Sequence, residues 1–221
     1  MKQRIVILGD SLGMARSEIK FEETYPYILQ TSLPDCEIYA KHRRANDSDL
    51  QSEFLNIQDD IDYMKADILV IHLGIVDCAP RLFSRAEQKR LQYLKIINKY
   101  IIAFMSKRRF FFTKLFPKVY VDRGSYEKNI RTLILSGKKN AKRVIVVNIA
   151  DTSVENKKKS YGFEENIRQY NEVLSKLVEE NEVELLEMFK ITDESMLMED
   201  GIHLSVKGNH LLAEKIEELC V

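Results

Sequence analysis

The sequence predicts a three-layer α/β sandwich in which a five-stranded parallel sheet is covered by helices on both faces. Short apolar runs, helical stripes between them and the alternation of the two along 221 residues carry that expectation. Ile5, Val6, Ile7 and Leu8 form the first run, which ends at Gly9. Four residues are too few for a helix, and with no polar position they suit a strand buried on both faces. Residues 37–40 give a weaker second strand, and residues 68–73, closed by Gly74, give a third of the first kind. Residues 144–149 repeat the pattern, and residues 183–186 complete the five. Between the last two, Ile167, Tyr170, Leu174, Leu177 and Val178 share one stripe of a helix over 164–180. Asn171 lies on the same stripe, so its amide is expected to be buried with fixed partners. Ser205 is placed to cap a last helix whose Leu211, Leu212, Ile216 and Leu219 face inward. Such βα units connect through right-handed crossovers, and their ligands bind beyond the carboxyl ends of the strands.

One segment breaks the rhythm. Residues 1–221 are expected to form a single domain, with residues 79–125 inserted after the third strand, above the site face. From Arg81 to Arg123, twelve Lys and Arg residues stand against Glu87 and Asp122, an excess of ten positive charges. Leu94, Ile97, Ile101, Phe104 and Met105 give its first half the spacing of an amphipathic helix; its second half mixes cations with Phe110, Phe111, Phe112 and Phe116.

Composition excludes several functions. The 34 basic residues balance 34 acidic ones, so neither a globally basic nucleic-acid binder nor an acidic disordered chain fits. The longest stretch without a charged residue, 24–34, has 11 residues and two prolines. A membrane-spanning helix needs ~20 apolar residues, so none is expected. The apolar run near the N-terminus is shorter than the ~7–15 residues of a secretory core, and the chain is expected to be cytoplasmic. Cys36, Cys78 and Cys220 form neither a metal-binding spacing nor an even set, and are expected to be buried free thiols.

Two motifs carry chemistry. Gly9, Asp10, Ser11, Leu12 and Gly13 follow the first strand, so Ser11 is expected at the start of a helix on the carboxyl edge of the sheet, its N–H facing the cleft. A capping turn has the same composition. Near the other end, Asp200 precedes His203 by three residues. Within one turn, Asp200 can accept from one ring nitrogen and leave the other to face a serine hydroxyl. Either motif alone is common; together, at the ends of a five-strand α/β chain, they point to a nucleophilic serine.

At these residues the sequence resembles the SGNH, or GDSL-type, hydrolase superfamily. Gly9-Asp10-Ser11-Leu12 corresponds to its first block, Asp200 and His203 to its last, and Gly74-Ile75-Val76-Asp77 to its third, Gly-x-Asn-Asp. The resemblance implies a flavodoxin-like sheet and acyl-ester hydrolysis or transfer by a Ser11-His203-Asp200 triad. It implies neither metal nor organic cofactor. Two positions depart from the pattern. Val76 stands where the superfamily has an asparagine that donates to the oxyanion, a substitution shared with a bacterial subgroup. The second-block glycine, a backbone donor, is missing between Lys41 and Leu50, and register places Arg44 there to within about a residue.

Arg44 and Asn46 are therefore the candidates to replace a lost donor, with Gly74 at the third block. Asp77 either orients the second-block loop, pairs with Arg44 or Arg81, or caps a turn. Arg81 is a candidate for binding a substrate carboxylate or phosphate in bidentate fashion. His42, His72 and His210 have no acidic neighbour at triad spacing and are read as structural. The expected function is a serine esterase or O-acyltransferase acting on the acyl group, in particular acetyl, of a saccharide or small-molecule ester. The alternative is a non-catalytic saccharide- or lipid-binding protein with a degenerate oxyanion hole. The insertion is expected to recruit an anionic substrate or to touch a membrane surface peripherally; nucleic acid is not expected, because no recognisable binding module accompanies the cations.

Overall fold

The computed structural model describes residues 2–220, without the side chains of 95–97. Its chain order is β1 (Gln3–Gly9), α1 (Tyr25–Ser32), β2 (Cys36–His42), α2 (Ser48–Gln51), α3 (Phe54–Ile57), β3 (Ile68–His72) and α4 (Ile75–Cys78). There follow α5 (Arg85–Gln92), α6 (Lys95–Lys107), α7 (Arg109–Leu115), α8 (Arg123–Asn140), β4 (Arg143–Val147), α9 (Val154–Lys159), α10 (Phe163–Asn181), β5 (Glu184–Leu186) and α11 (Val206–Cys220). The five strands form one sheet in the order β2-β1-β3-β4-β5, with every neighbouring pair parallel.

The runs are nearly all apolar because each central strand feeds two cores. Val6 and Leu8 of β1, Leu69 and Ile71 of β3, and Val144 and Val146 of β4 pack with Ile130, Leu133, Ile167 and Leu174 of α8 and α10. The alternate residues, Ile5 and Ile7, Ile68 and Val70, Ile145 and Val147, pack on the other face with Leu29 of α1 and with Leu212 and Ile216 of α11. Alternation along a strand thus appears as alternation between two buried faces. Asn171 bonds both backbone groups of Ile149, donating to its carbonyl and accepting from its N–H at 2.8 Å each, so the polar member of the α10 stripe ties that helix to the end of β4. Ser205 caps α11 by accepting from Gly208 N at 3.3 Å. All three cysteines are buried and free.

Ser11 and the insertion depart from the sequence expectation. Ser11 opens only a single 3-10 turn, Ser11–Gly13, because Asp10 caps it through Leu12 N at 2.8 Å and the chain then turns extended at Met14. The insertion holds three helices, α5 to α7. Ser84 and Glu87 form a reciprocal capping box that starts α5. Leu94 and Phe104 of the expected apolar stripe are exposed and Ile101 and Met105 half-buried; the side chain of Ile97 lies outside the described residues. No helix among the described residues is long and apolar enough to cross a membrane.

Candidate active site

Ser11 and His203 come from opposite ends of the chain and meet at the carboxyl edge of the sheet. Ser11 follows β1 directly, and His203 lies in the turn before α11, where its Nε2 is 3.1 Å from Ser11 Oγ. On the far side of the ring, Nδ1 lies 2.5 Å from Asp200 Oδ2. The other Asp200 oxygen accepts from Ile202 N at 3.0 Å and His203 N at 2.9 Å. Partial burial opposes the charge of Asp200, but the hydrogen bonds from the His203 ring and the two backbone N–H groups outweigh it and hold the carboxyl well below its usual range. An ionised Asp200 keeps the ring proton on Nδ1, which leaves the Nε2 lone pair facing Ser11.

The turn that carries these residues is built to stay put. Gly201 has φ +67°, and a Cβ there would lie 2.0 Å from Ser153 Oγ, so glycine is required on both counts. Its carbonyl accepts from Thr152 Oγ1 at 2.7 Å and Ser153 N at 3.1 Å, and Asn156 Nδ2 reaches the Asp200 carbonyl at 2.7 Å. The loop after β4 thus fixes the His203 turn beside the residues that follow β1.

A pocket of about 210 Å³ lies over Ser11 and His203, walled by Ala45, Ile75, Val76, Ala79, Arg81, Tyr120 and Ile202. Neither the Ser11 N–H nor the Ala45 N–H has a protein acceptor among the described residues. Ala45 has φ +53°, a conformation ordinarily left to glycine. Ala45, one residue beyond the register estimate for the second block, thus has a backbone that a glycine would adopt without strain, and Arg44 is exposed with no hydrogen-bond partner among the described residues. Asn46 is also displaced as a donor: fully buried, its Nδ2 donates to Gly9 O at 3.0 Å and Gln51 Oε1 at 2.9 Å, away from the pocket.

Gly74 starts α4 at φ +142°, and a Cβ would come within 2.6 Å of Ile149 Cδ1 and 2.7 Å of the Tyr126 hydroxyl. That close approach sets α4 where Ile75 and Val76 form pocket wall; Gly74 itself does not line it. Asp77 is fully buried and accepts from Ser48 N at 2.9 Å, holding the second-block loop rather than pairing with Arg44 or Arg81. Burial raises its carboxyl to about 7 and does the same to Asp10 beneath Ser11. Arg81 stands in the pocket wall with its guanidinium 4.1 Å above the Tyr120 ring, donating to Val76 O at 2.9 Å.

His42 and His72 meet the Tyr25 hydroxyl at 2.7 and 3.2 Å, and burial pushes both imidazoles down, to about 4 and about 3. They are neutral struts under the site, whereas His210 is exposed on α11. One residue escaped sequence reasoning altogether. The guanidinium of Arg16, from the loop after Ser11, contacts His203 Nε2. Burial lowers the Arg16 pKa, with Arg44 adding to the effect and the carboxylates of Asp200 and Asp10 opposing it. Nothing in a single sequence marks a loop arginine that folds back over a motif five residues before it.

A five-stranded parallel α/β sheet whose GDSL block faces a C-terminal Asp-x-x-His turn is the architecture of an SGNH-type hydrolase. The family model for GDSL-like lipase/acylhydrolase matches residues 5–216, and the chain belongs to that family. Its fold is similar to a lipase/acylhydrolase from Enterococcus faecalis, at 14% identity and a TM-score of 0.70 over 98% of this chain and 94% of that one. An acetyl xylan esterase superposes with TM-score 0.67 at 17% identity, covering 99% of this chain and 100% of that one. A catalytic mutant of an acetylxylan esterase from Geobacillus stearothermophilus gives 0.65 at 18% identity, over 98% and 93%. No curated protein matches the sequence.

Proposed function

We propose that the protein is a serine esterase that removes a short acyl group, such as acetyl, from a saccharide or small-molecule ester. The observation that carries this reading is the Ser11 Oγ to His203 Nε2 to Asp200 relay, with distances of 3.1 and 2.5 Å, at the floor of a pocket. Ser11 Oγ attacks the acyl carbonyl as its proton passes to Nε2 of His203. Asp200 holds the ring and balances the imidazolium. The tetrahedral oxyanion accepts from the N–H groups of Ser11 and Ala45, both otherwise without acceptors among the described residues. Its collapse expels the alkoxide, which takes the proton back from Nε2. Water, or a sugar hydroxyl in a transfer reaction, then resolves the acyl-enzyme with His203 as base again.

Pocket size argues for a short acyl group, since the apolar wall of Ile75, Val76, Ala79 and Ile202 encloses about 210 Å³ together with the reacting side chains. Val76 contributes no third donor, so the expected turnover is modest: one missing oxyanion donor costs ~10²–10³ in kcat. Hydrolysis of p-nitrophenyl acetate by the wild-type chain, abolished in Ser11→Ala and His203→Ala, tests the proposal. Wild-type turnover in Ser11→Ala would make the triad assignment wrong, and no turnover by the folded wild-type chain on any short acyl ester would favour the alternative of a binding protein. The exposed aromatic and basic face of α6 and α7 supports a peripheral contact with an anionic membrane surface as the setting for that substrate.

A further inference from the structure

Between the insertion and the loop around Pro80 lies a second cavity of about 400 Å³. It shares Arg81 and Tyr120 with the catalytic pocket, so the two have a common wall. Arg81 and Arg109 both line it, and every acceptor they reach is neutral. Arg81 donates to the Val76 carbonyl, lies over the Tyr120 ring and keeps a buried Nε without a partner. Arg109 donates to Ser160 Oγ and to the Pro80 carbonyl, each at 2.6 Å. Neither forms an ion pair among the described residues, although their neighbours do: Arg85 pairs with Asp47 and Lys118 with Glu87. Asp77, a carboxyl whose charge acts on Arg81, is bonded to Ser48 and favours its neutral form up to about 7.

Two partly buried guanidiniums within each other's field are an unfavourable arrangement unless an anion joins them. Burial lowers both of their pKa values, and Arg81 lowers that of Arg109 further. Arginine does not release its proton at ordinary pH, so the strain is relieved by a counter-ion rather than by neutralisation. The other polar side chains of the wall, Gln88, Gln92, Asn98 and Ser106 with the Tyr120 hydroxyl, are uncharged and suit hydroxyl groups. We propose that Arg81 and Arg109 bind an anionic oxo group, a phosphate or a carboxylate, carried on the polyhydroxylated part of the ester whose acyl carbon meets Ser11. The place of this site within the substrate rests on the esterase reading; the existence of the site does not.

Calorimetry on the Ser11→Ala protein separates the two, because it needs no turnover. Glucose 6-phosphate, glucuronate and glucose are the probes. Binding of either charged sugar at least about tenfold tighter than glucose supports the site, and the tighter of the two names the group. The preference should vanish in Arg81→Gln and in Arg109→Gln. Should either variant melt early, raising salt tenfold on the parent protein takes its place, and should weaken the charged sugar severalfold while leaving glucose unchanged. Equal binding of all three sugars, no binding of any, or a charged-sugar preference that survives both substitutions, would overturn the proposal. Slower labelling of wild-type Ser11 by a fluorophosphonate when the tighter sugar is present then tests adjacency to the catalytic pocket; failure there, with binding intact, would break the link to Ser11 and leave the anion site standing.

Discussion

The guanidinium of Arg16 reaches the same ring nitrogen of His203 that faces Ser11. Nε2 has one lone pair, and a guanidinium can only donate, so Arg16 and the Ser11 hydroxyl compete for it. Only the fraction with Ser11 bonded is poised to transfer a proton. Arg16→Ala should therefore raise kcat for a small neutral ester by about two- to tenfold, the gain expected when the competent state is a minority. A steady-state comparison checks this, and a drop in kcat would instead make Arg16 part of the catalytic machinery.

The oxyanion hole is expected to be one donor short. Because Val76 lines the pocket, Val76→Asn places an amide at its wall and should raise kcat, by up to ~10²-fold, with KM little changed. Arg44→Ala should leave both constants for p-nitrophenyl acetate within twofold, since Arg44 is exposed outside the pocket wall. A large kcat loss in Arg44→Ala would restore that residue as the replacement donor.

Asp10 and Asp77 make stability fall as pH rises. Burial lifts each carboxyl from 3.8 to about 7, so the folded state holds protons that the unfolded chain releases. Their contribution is complete below the unfolded value and is lost as pH climbs through about 7, with a slope of up to ~1.4 kcal/mol per pH unit for each group. Urea unfolding from pH 5 to 7.5 should show the decline, and Asp77→Asn should make it about half as steep, Asp10 supplying the rest. Parallel curves for the two proteins would mean that Asp77 is ionised throughout.

The face of α6 and α7 should adhere to anionic bilayers. Tyr100, Phe104, Phe111 and Leu115 are exposed among Lys99, Lys107, Arg108 and Lys114, and residues 88–121 contain no carboxylate. Each cation near such a surface is worth about 1 kcal/mol, screened by salt. The protein should sediment with phosphatidylglycerol vesicles but not phosphatidylcholine ones, and Phe111→Ser with Lys107→Glu should weaken this at least fivefold. No sedimentation, or a dimer disrupted by those substitutions, would assign the face elsewhere.

The central strands were legible because burial on both faces leaves few polar positions, and the Asp200 and His203 spacing was legible because one turn places both. Other features depend on backbone direction or long reach. Ala45 adopts a positive φ that its residue type does not announce, so the sequence does not mark it as the glycine-like position of its loop. Asn46 has the right chemistry for a donor, yet its side chain turns under Gly9. The stripe through Leu94 and Phe104 has helical spacing, but spacing does not say what covers a face, and solvent covers much of this one.

The proposed esterase chemistry requires Ser11 to be a nucleophile activated by His203, and covalent labelling reads that directly. A fluorophosphonate followed by peptide mass spectrometry should modify Ser11 in the wild-type protein, and the adduct should be absent in Ser11→Ala and reduced by at least about 10³-fold in rate in His203→Ala. An unlabelled Ser11 in folded wild-type protein, or labelling that proceeds at the wild-type rate without His203, would contradict it.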